Sequence, residues 1–122
     1  MKNDSVDMLT GRTVGFIGLG LMGRPMAANL HAAGATPVIP RRAADSMEDQ
    51  GKDRVEVFET PAAIAEIADV VILMLPTADA VDTVCLGPDG LIASATPKTL
   101  VMDMGTTDAA TTASVAGRLQ EA

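Results

Sequence analysis

Six residues near the amino terminus, Gly18-Leu19-Gly20-Leu21-Met22-Gly23, constrain this chain more than any other feature. They put glycine at the first, third and sixth positions, between two stretches of different periodicity. Before them, Thr13-Val14-Gly15-Phe16-Ile17 reads as a short buried strand. After them, Met22, Met26 and Leu30 recur every fourth residue, with Ala27 and Ala33 filling the same face. That spacing predicts a helix from Leu21 to Ala33, stopped by Gly34. Pro25 is compatible with the first turn, whose amides have no intrahelical partner to lose. In such a strand-to-helix turn Gly18 permits the tight bend and Gly20 lets a pyrophosphate approach the backbone. Gly23 lets the helix pack closely on the sheet. The free amides and positive dipole end of the helix then hold the phosphates. The competing reading is a glycine-rich turn that only packs a helix. The strand before and the helix after favour dinucleotide binding.

The rest of the chain repeats the alternation. Thr36-Pro37-Val38-Ile39 predicts a second strand, Ala43 to Gln50 a weak helix, and Gly51-Lys52-Asp53 a turn. Val55-Glu56-Val57-Phe58 predicts a third strand, and Thr60-Pro61 starts a helix over 62–68, with Thr as N-cap. Val70 to Leu75 is an unbroken apolar run, the mark of a strand buried on both faces, ended by Pro76. Thr77 can cap a helix to about Leu86. Gly87-Pro88-Asp89-Gly90 makes a turn, and Leu91 to Ser94 a short helical piece. Thr99 to Met102 predicts a fifth strand. Thr107-Asp108 opens a last helix to Glu121, with Thr107 read as its cap. Alternating strands and helices imply parallel βαβ units. The expected fold is therefore α/β, a Rossmann-type doubly wound parallel sheet with strand order 3-2-1-4-5. A ligand would lie across the carboxyl ends of strands one and four, where the order reverses. Residues 1–12 read as a flexible leader and 13–122 as the domain.

The end of the second strand bears on which dinucleotide is bound. An Asp or Glu there would hydrogen-bond the adenosine ribose hydroxyls and favour NAD. This chain has Pro40-Arg41-Arg42 instead. Two guanidinium groups suit a 2′-phosphate, which arginine pairs bidentately. NADP(H) is therefore favoured, with NAD(H) as second choice. The alternative is a solvated loop whose Arg41 and Arg42 offset Asp45 and Glu48. The missing acid also weakens a methyltransferase reading, in which it would hold the ribose of S-adenosylmethionine.

Composition excludes several other classes. Nine Lys and Arg against sixteen Asp and Glu give a net charge of −7, which disfavours nucleic-acid binding. One cysteine and one histidine leave no disulfide framework, no multi-cysteine zinc site and little for a Ser-His-Asp triad. No apolar run is long enough to span a bilayer, and the first twelve residues lack a secretory apolar stretch, so a cytoplasmic location is expected. With two Phe and no Tyr or Trp, the core must be built from Ala, Val, Ile, Leu and eight Met. Cys85 reads as a small buried hydrophobe, His31 as a surface residue, and Asp79 and Asp82 as a solvated helix face. Asp103, at a strand end, either orients a loop or meets the ligand, and the first reading is favoured.

Gly15 to Gly23, followed by Met26-Ala27-Ala28-Asn29-Leu30, resembles the β-hydroxyacid dehydrogenase family, which includes 3-hydroxyisobutyrate dehydrogenase, tartronate semialdehyde reductase and 6-phosphogluconate dehydrogenase. Further likenesses are Met74-Leu75-Pro76, Gly87-Pro88-Asp89-Gly90-Leu91 and Asp103-Met104-Gly105-Thr106-Thr107, in the same order from about residue 13 to 122. The resemblance implies that Leu75 and Pro76 line the cofactor near its adenosine and ribose parts, and that Thr106 lies near the nicotinamide. It implies that Gly105, Thr106 and Thr107 border the carboxylate of a small 3-hydroxy acid or semialdehyde, and it supports Arg41 as an NADP contact. Two departures stand out. Family members usually carry Ser at the position of Gly105, which keeps the amide and lacks the hydroxyl. They are also more than twice as long, and their proton-transferring lysine belongs to a later part. The lysines here are Lys2, Lys52 and Lys98, none after a glycine-rich helix start. No catalytic residue is therefore assigned, and the domain is expected to be incomplete relative to the family. A non-catalytic dinucleotide module or sensor, or an inactive fragment, remain alternatives. Without the family's later elements, the edge of strand five and residues of the last helix such as Val115 and Leu119 should be exposed, so self-association is expected.

Overall fold

The computed structural model describes residues 10–18, 23–40, 56–105 and 107–121. The expected helix at 43–50 and turn at 51–53 lie outside the described residues, as do residues 1–9 of the leader. In chain order the elements are β1 (Thr13–Ile17), α1 (Gly23–Ala32), β2 (Thr36–Pro40), β3 (Glu56–Phe58), α2 (Pro61–Ile67), β4 (Val70–Leu73) and α3 (Ala78–Leu86). A single 3₁₀ turn (Leu91–Ala93), β5 (Leu100–Asp103) and α4 (Ala109–Gln120) complete them. The strands form one parallel sheet in the order β3-β2-β1-β4-β5, as the alternation of elements predicts. The chain is thus an α/β, Rossmann-like domain.

Local chemistry sets most boundaries. The Thr60 hydroxyl accepts the Ala63 N–H at 3.1 Å, and Pro61 occupies the first helical position of α2. Thr77 does the same for Ala80 at 3.1 Å and starts α3. At the end of α1 the Ala35 N–H donates to Leu30 (3.1 Å) and the Gly34 N–H to His31 (3.0 Å). This paired closure needs a left-handed residue, and Gly34 supplies it with φ of 99°.

Two boundaries differ from expectation. β4 ends at Leu73 and does not continue to Leu75. Its neighbour β1 stops at Ile17, which still accepts the Met74 N–H at 2.9 Å, and beyond it there is no strand to pair with. An apolar run reports burial, not pairing. The last helix is capped by Asp108, not Thr107: the Asp108 carboxylate accepts the Thr111 N–H at 2.8 Å and its hydroxyl at 2.9 Å.

Strand alternation sends side chains to two cores. Ile17, Val38, Val71 and Leu73 face Ile64, Val81, Cys85, Leu91 and Val115 of the helical layer on one side. Val14, Phe16, Ile39 and Ile72 pack with Ala35, Met26 and Leu30, beside α1, on the other. Val115 is only 6% exposed and Leu119 packs against the first core, so the expectation that the last helix bares them is wrong. Besides Ile67 at the end of α2 (43%), the large apolar residues exposed among the described residues lie at β5, whose edge was expected to be exposed. Leu100 and Met102, opposite Val70 and Ile72, and Met104 just beyond are 55%, 40% and 49% exposed. His31 also departs from the surface reading. It is half-buried, and its Nδ1 is out of reach of solvent without a hydrogen-bond partner.

Candidate functional site

In a parallel sheet every following helix begins at the carboxyl edge, so the loops after β1, β4 and β5 meet there. The first bend is at Gly18, whose φ of 98° is a conformation that L side chains avoid. A Cβ at Gly18 would also fall on the Met74 carbonyl. The expected role of this glycine in a tight turn is therefore realised twice over, in conformation and in space. The helix that follows, α1, has no acidic side chain in its first turn. The Met74 backbone walls the Gly18 turn, and the N-terminus of the ten-residue α1 is compatible with an anionic group; the residues between the two lie outside the described ones.

Leu75 joins this turn to the loop after β5. Its side chain lies beside Gly18, and its carbonyl oxygen would lie 2.9 Å from a Cβ on Gly105. Pro76 follows, exposed. The structure thus gathers Gly18, Leu75, Pro76, Gly105 and Thr107 along one edge, with Gly23 opening α1. The other candidate residues, Leu19, Gly20, Leu21, Met22, Arg41, Arg42 and Thr106, lie outside the described residues.

Asp103 orients the β5 loop, as the favoured sequence reading has it. Its Oδ1 accepts the Gly105 N–H at 3.0 Å, and its Oδ2 accepts the Thr107 hydroxyl at 2.6 Å. The spacing of Asp, then Gly two and Thr four residues later, is the local signal for such a turn. The bridging role of Leu75 had no comparable signal. Nearby, hydrogen bonds from Thr111 hold the Asp108 carboxyl below its ordinary range. Burial, reinforced by the charges of Asp103 and Asp82, pushes the Cys85 thiol up to about 11. A thiol so protonated is an inert core group, as its sequence context suggested.

A groove of about 290 Å³ lies between α3 and α4, lined by Ala78, Asp79, Asp82, Ala110, Thr111 and Ser114. Its two carboxylates and lack of a basic lining residue make it unsuited to an anionic dinucleotide. Among the described residues no group of His, Cys, Asp and Glu could hold a metal ion, and no helix is long and apolar enough to cross a membrane.

Comparison with known proteins agrees with this geometry. The sequence profile of the NAD binding domain of 6-phosphogluconate dehydrogenase matches residues 13–122. A probable mitochondrial 3-hydroxyisobutyrate dehydrogenase of Dictyostelium discoideum is 36% identical over 107 residues, 88% of this chain and 33% of that protein. The cytokine-like nuclear factor N-PAC of Pongo abelii is 30% identical over 107 residues, 88% of this chain and 19% of its own length. Among solved structures, Mycobacterium tuberculosis 3-hydroxyisobutyrate dehydrogenase with L-serine superposes with a TM-score of 0.69 at 35% identity. That match covers 90% of this chain and 37% of the other. The chain thus spans about a third of the dehydrogenases it matches.

Proposed function

Because the chain belongs to the family of the NAD-binding domain of 6-phosphogluconate dehydrogenase, we propose that it is the NADP(H)-binding part of a β-hydroxyacid dehydrogenase-like oxidoreductase. The substrate class is a small 3-hydroxy acid or its semialdehyde. The observation that carries this reading is the Gly18 turn, closed against the β4 loop and followed by α1. The glycine loop from Gly18 to Gly23 holds the pyrophosphate, Arg41 and Arg42 the 2′-phosphate, and Leu75 and Pro76 line the cofactor. The Gly105 to Thr107 segment borders nicotinamide and substrate carboxylate. When bound, the nicotinamide accepts or donates the hydride; this chain orients it. Lys98 is exposed in the turn before β5, at the opposite edge of the sheet, so it does not serve as proton donor. In this reading the proton-transferring lysine is supplied from elsewhere, as the family resemblance implies.

Titration with NADPH and NADH, followed by nicotinamide fluorescence, tests the reading against a background without Trp or Tyr. NADPH should bind more tightly, and Arg41→Asp should weaken NADPH while sparing NADH. Equal losses for both cofactors would remove Arg41 from its assigned role. The exposed Leu100, Met102 and Met104 on an edge strand support self-association of this chain. Sedimentation should show a mass that rises with concentration and falls towards the monomer in Met102→Lys; a monomer at high concentration would count against it.

A further inference from the structure

We infer that Asp103 is a positioning residue for the nicotinamide half of the site, holding the β5 loop in its path past the β4 loop. This rests on the cofactor reading above. The pyrophosphate lies at the β1 turn and the adenosine on the β2 side, so the other mononucleotide must run over the ends of β4 and β5. The loop after β5 is the wall on that side, and three observations show that its path is imposed. The Met104 N–H still donates to the Leu73 carbonyl at 2.8 Å, which carries the sheet one residue beyond β5. Gly105 then passes so close to the Leu75 carbonyl that a Cβ would sit 2.9 Å from it, too near for any side chain without a backbone shift. Asp103 holds the chain in that passage with both oxygens, one on the Gly105 amide and one on the Thr107 hydroxyl.

Both oxygens of the half-buried Asp103 are engaged within the loop, and the Asp108 carboxylate is engaged on Thr111. The loop therefore turns its two carboxylates to its own backbone and hydroxyls. Gly105 is required by space, and a serine there would displace the loop from Leu75, not simply add a hydroxyl to this wall.

The test compares probes with and without nicotinamide on the whole chain: NADH and NADPH against ADP-ribose and 2′-phospho-ADP-ribose. Asp103→Ala should weaken the nicotinamide cofactors about tenfold, because only a part of what two charge-assisted hydrogen bonds contribute to ordering the loop reaches the bound cofactor. The nicotinamide-free probes should bind as before. Asp103→Asn, which keeps an acceptor for the Gly105 amide, should recover most of the loss, and Thr107→Val should show a smaller one. These two variants keep the test open if Asp103→Ala does not fold. Bound-NADH fluorescence should fall in parallel. Equal weakening of all four probes, or none, would overturn the positioning role and leave the cofactor reading standing. Failure of the unmodified chain to bind any of the four would overturn both.

Discussion

The two edges of the sheet use the same residue type in opposite ways. At the amino edge Asp69 closes the sheet on itself: its Oδ2 accepts the Thr13 N–H at 2.9 Å, its N–H donates to the Thr13 carbonyl at 2.8 Å, and its carbonyl accepts the Leu100 N–H at 3.3 Å. One residue thereby links the starts of β1, β4 and β5. At the carboxyl edge Asp103 bonds only to its own loop, and glycines stand at the closest approaches, Gly18 against Met74 and Gly105 against Leu75. Asp69 completes a ladder, whereas Asp103 shapes a surface. The second edge is also where the helix N-termini, with their free amides, converge. The difference teaches that residues at the carboxyl edge should control binding, and those at the amino edge stability alone.

The strongest challenge to this contrast is Gly18→Val. A β-branched residue at positive φ, with its Cβ on a backbone carbonyl, should cost about 3 kcal/mol or more and abolish cofactor binding in whatever folds. Urea denaturation and cofactor titration would measure both losses, and retention of affinity would break the comparison. The next effect is a dependence on pH. The unfolded thiol titrates at its ordinary 9.0 and burial holds the native Cys85 up to about 11, so between them the native state keeps a proton that the unfolded chain loses. Stability should therefore fall as pH rises from 9 to 11, by at most about 2 kcal/mol at the end of that window. Cys85→Ala should remove this slope, and Asp103→Asn should shift it slightly downwards in pH, whereas Asp69→Ala should leave it unchanged. The smallest effect is that of Asp69→Ala itself. Loss of its hydrogen bond to Thr13, near solvent, should cost about 1 kcal/mol and leave the cofactor affinity of the folded chain intact. A fall in affinity there would show that the two edges are not independent.

Much of the fold was legible because its signals are local. Thr60-Pro61 and Thr77 start their helices where capping chemistry puts them, and Gly34 ends α1 by the conformation that glycine alone adopts readily. The run Val70 to Leu75 marked a strand buried on both faces, but its end depended on where β1 ran out of backbone to pair with. Thr107 and Asp108 are both good caps, and the choice between them was settled by Asp103, which takes the threonine hydroxyl at 2.6 Å. Within the site, Gly18 was readable from the spacing of glycines after a strand, whereas for Asp103 the strand-end position left two roles open, with loop orientation favoured.

The sequence by itself determined the α/β alternation, the helix caps and the bend at Gly18, since periodicity, caps and glycine conformation act over a few residues. Only the tertiary structure decided that Leu75 stands between Gly18 and Gly105 and that Val115 is buried. Those outcomes depend on the register of β4 against β1 and β5 and on which half of each sheet face a helix covers. Register and coverage relate residues far apart in the chain, and no short pattern encodes them.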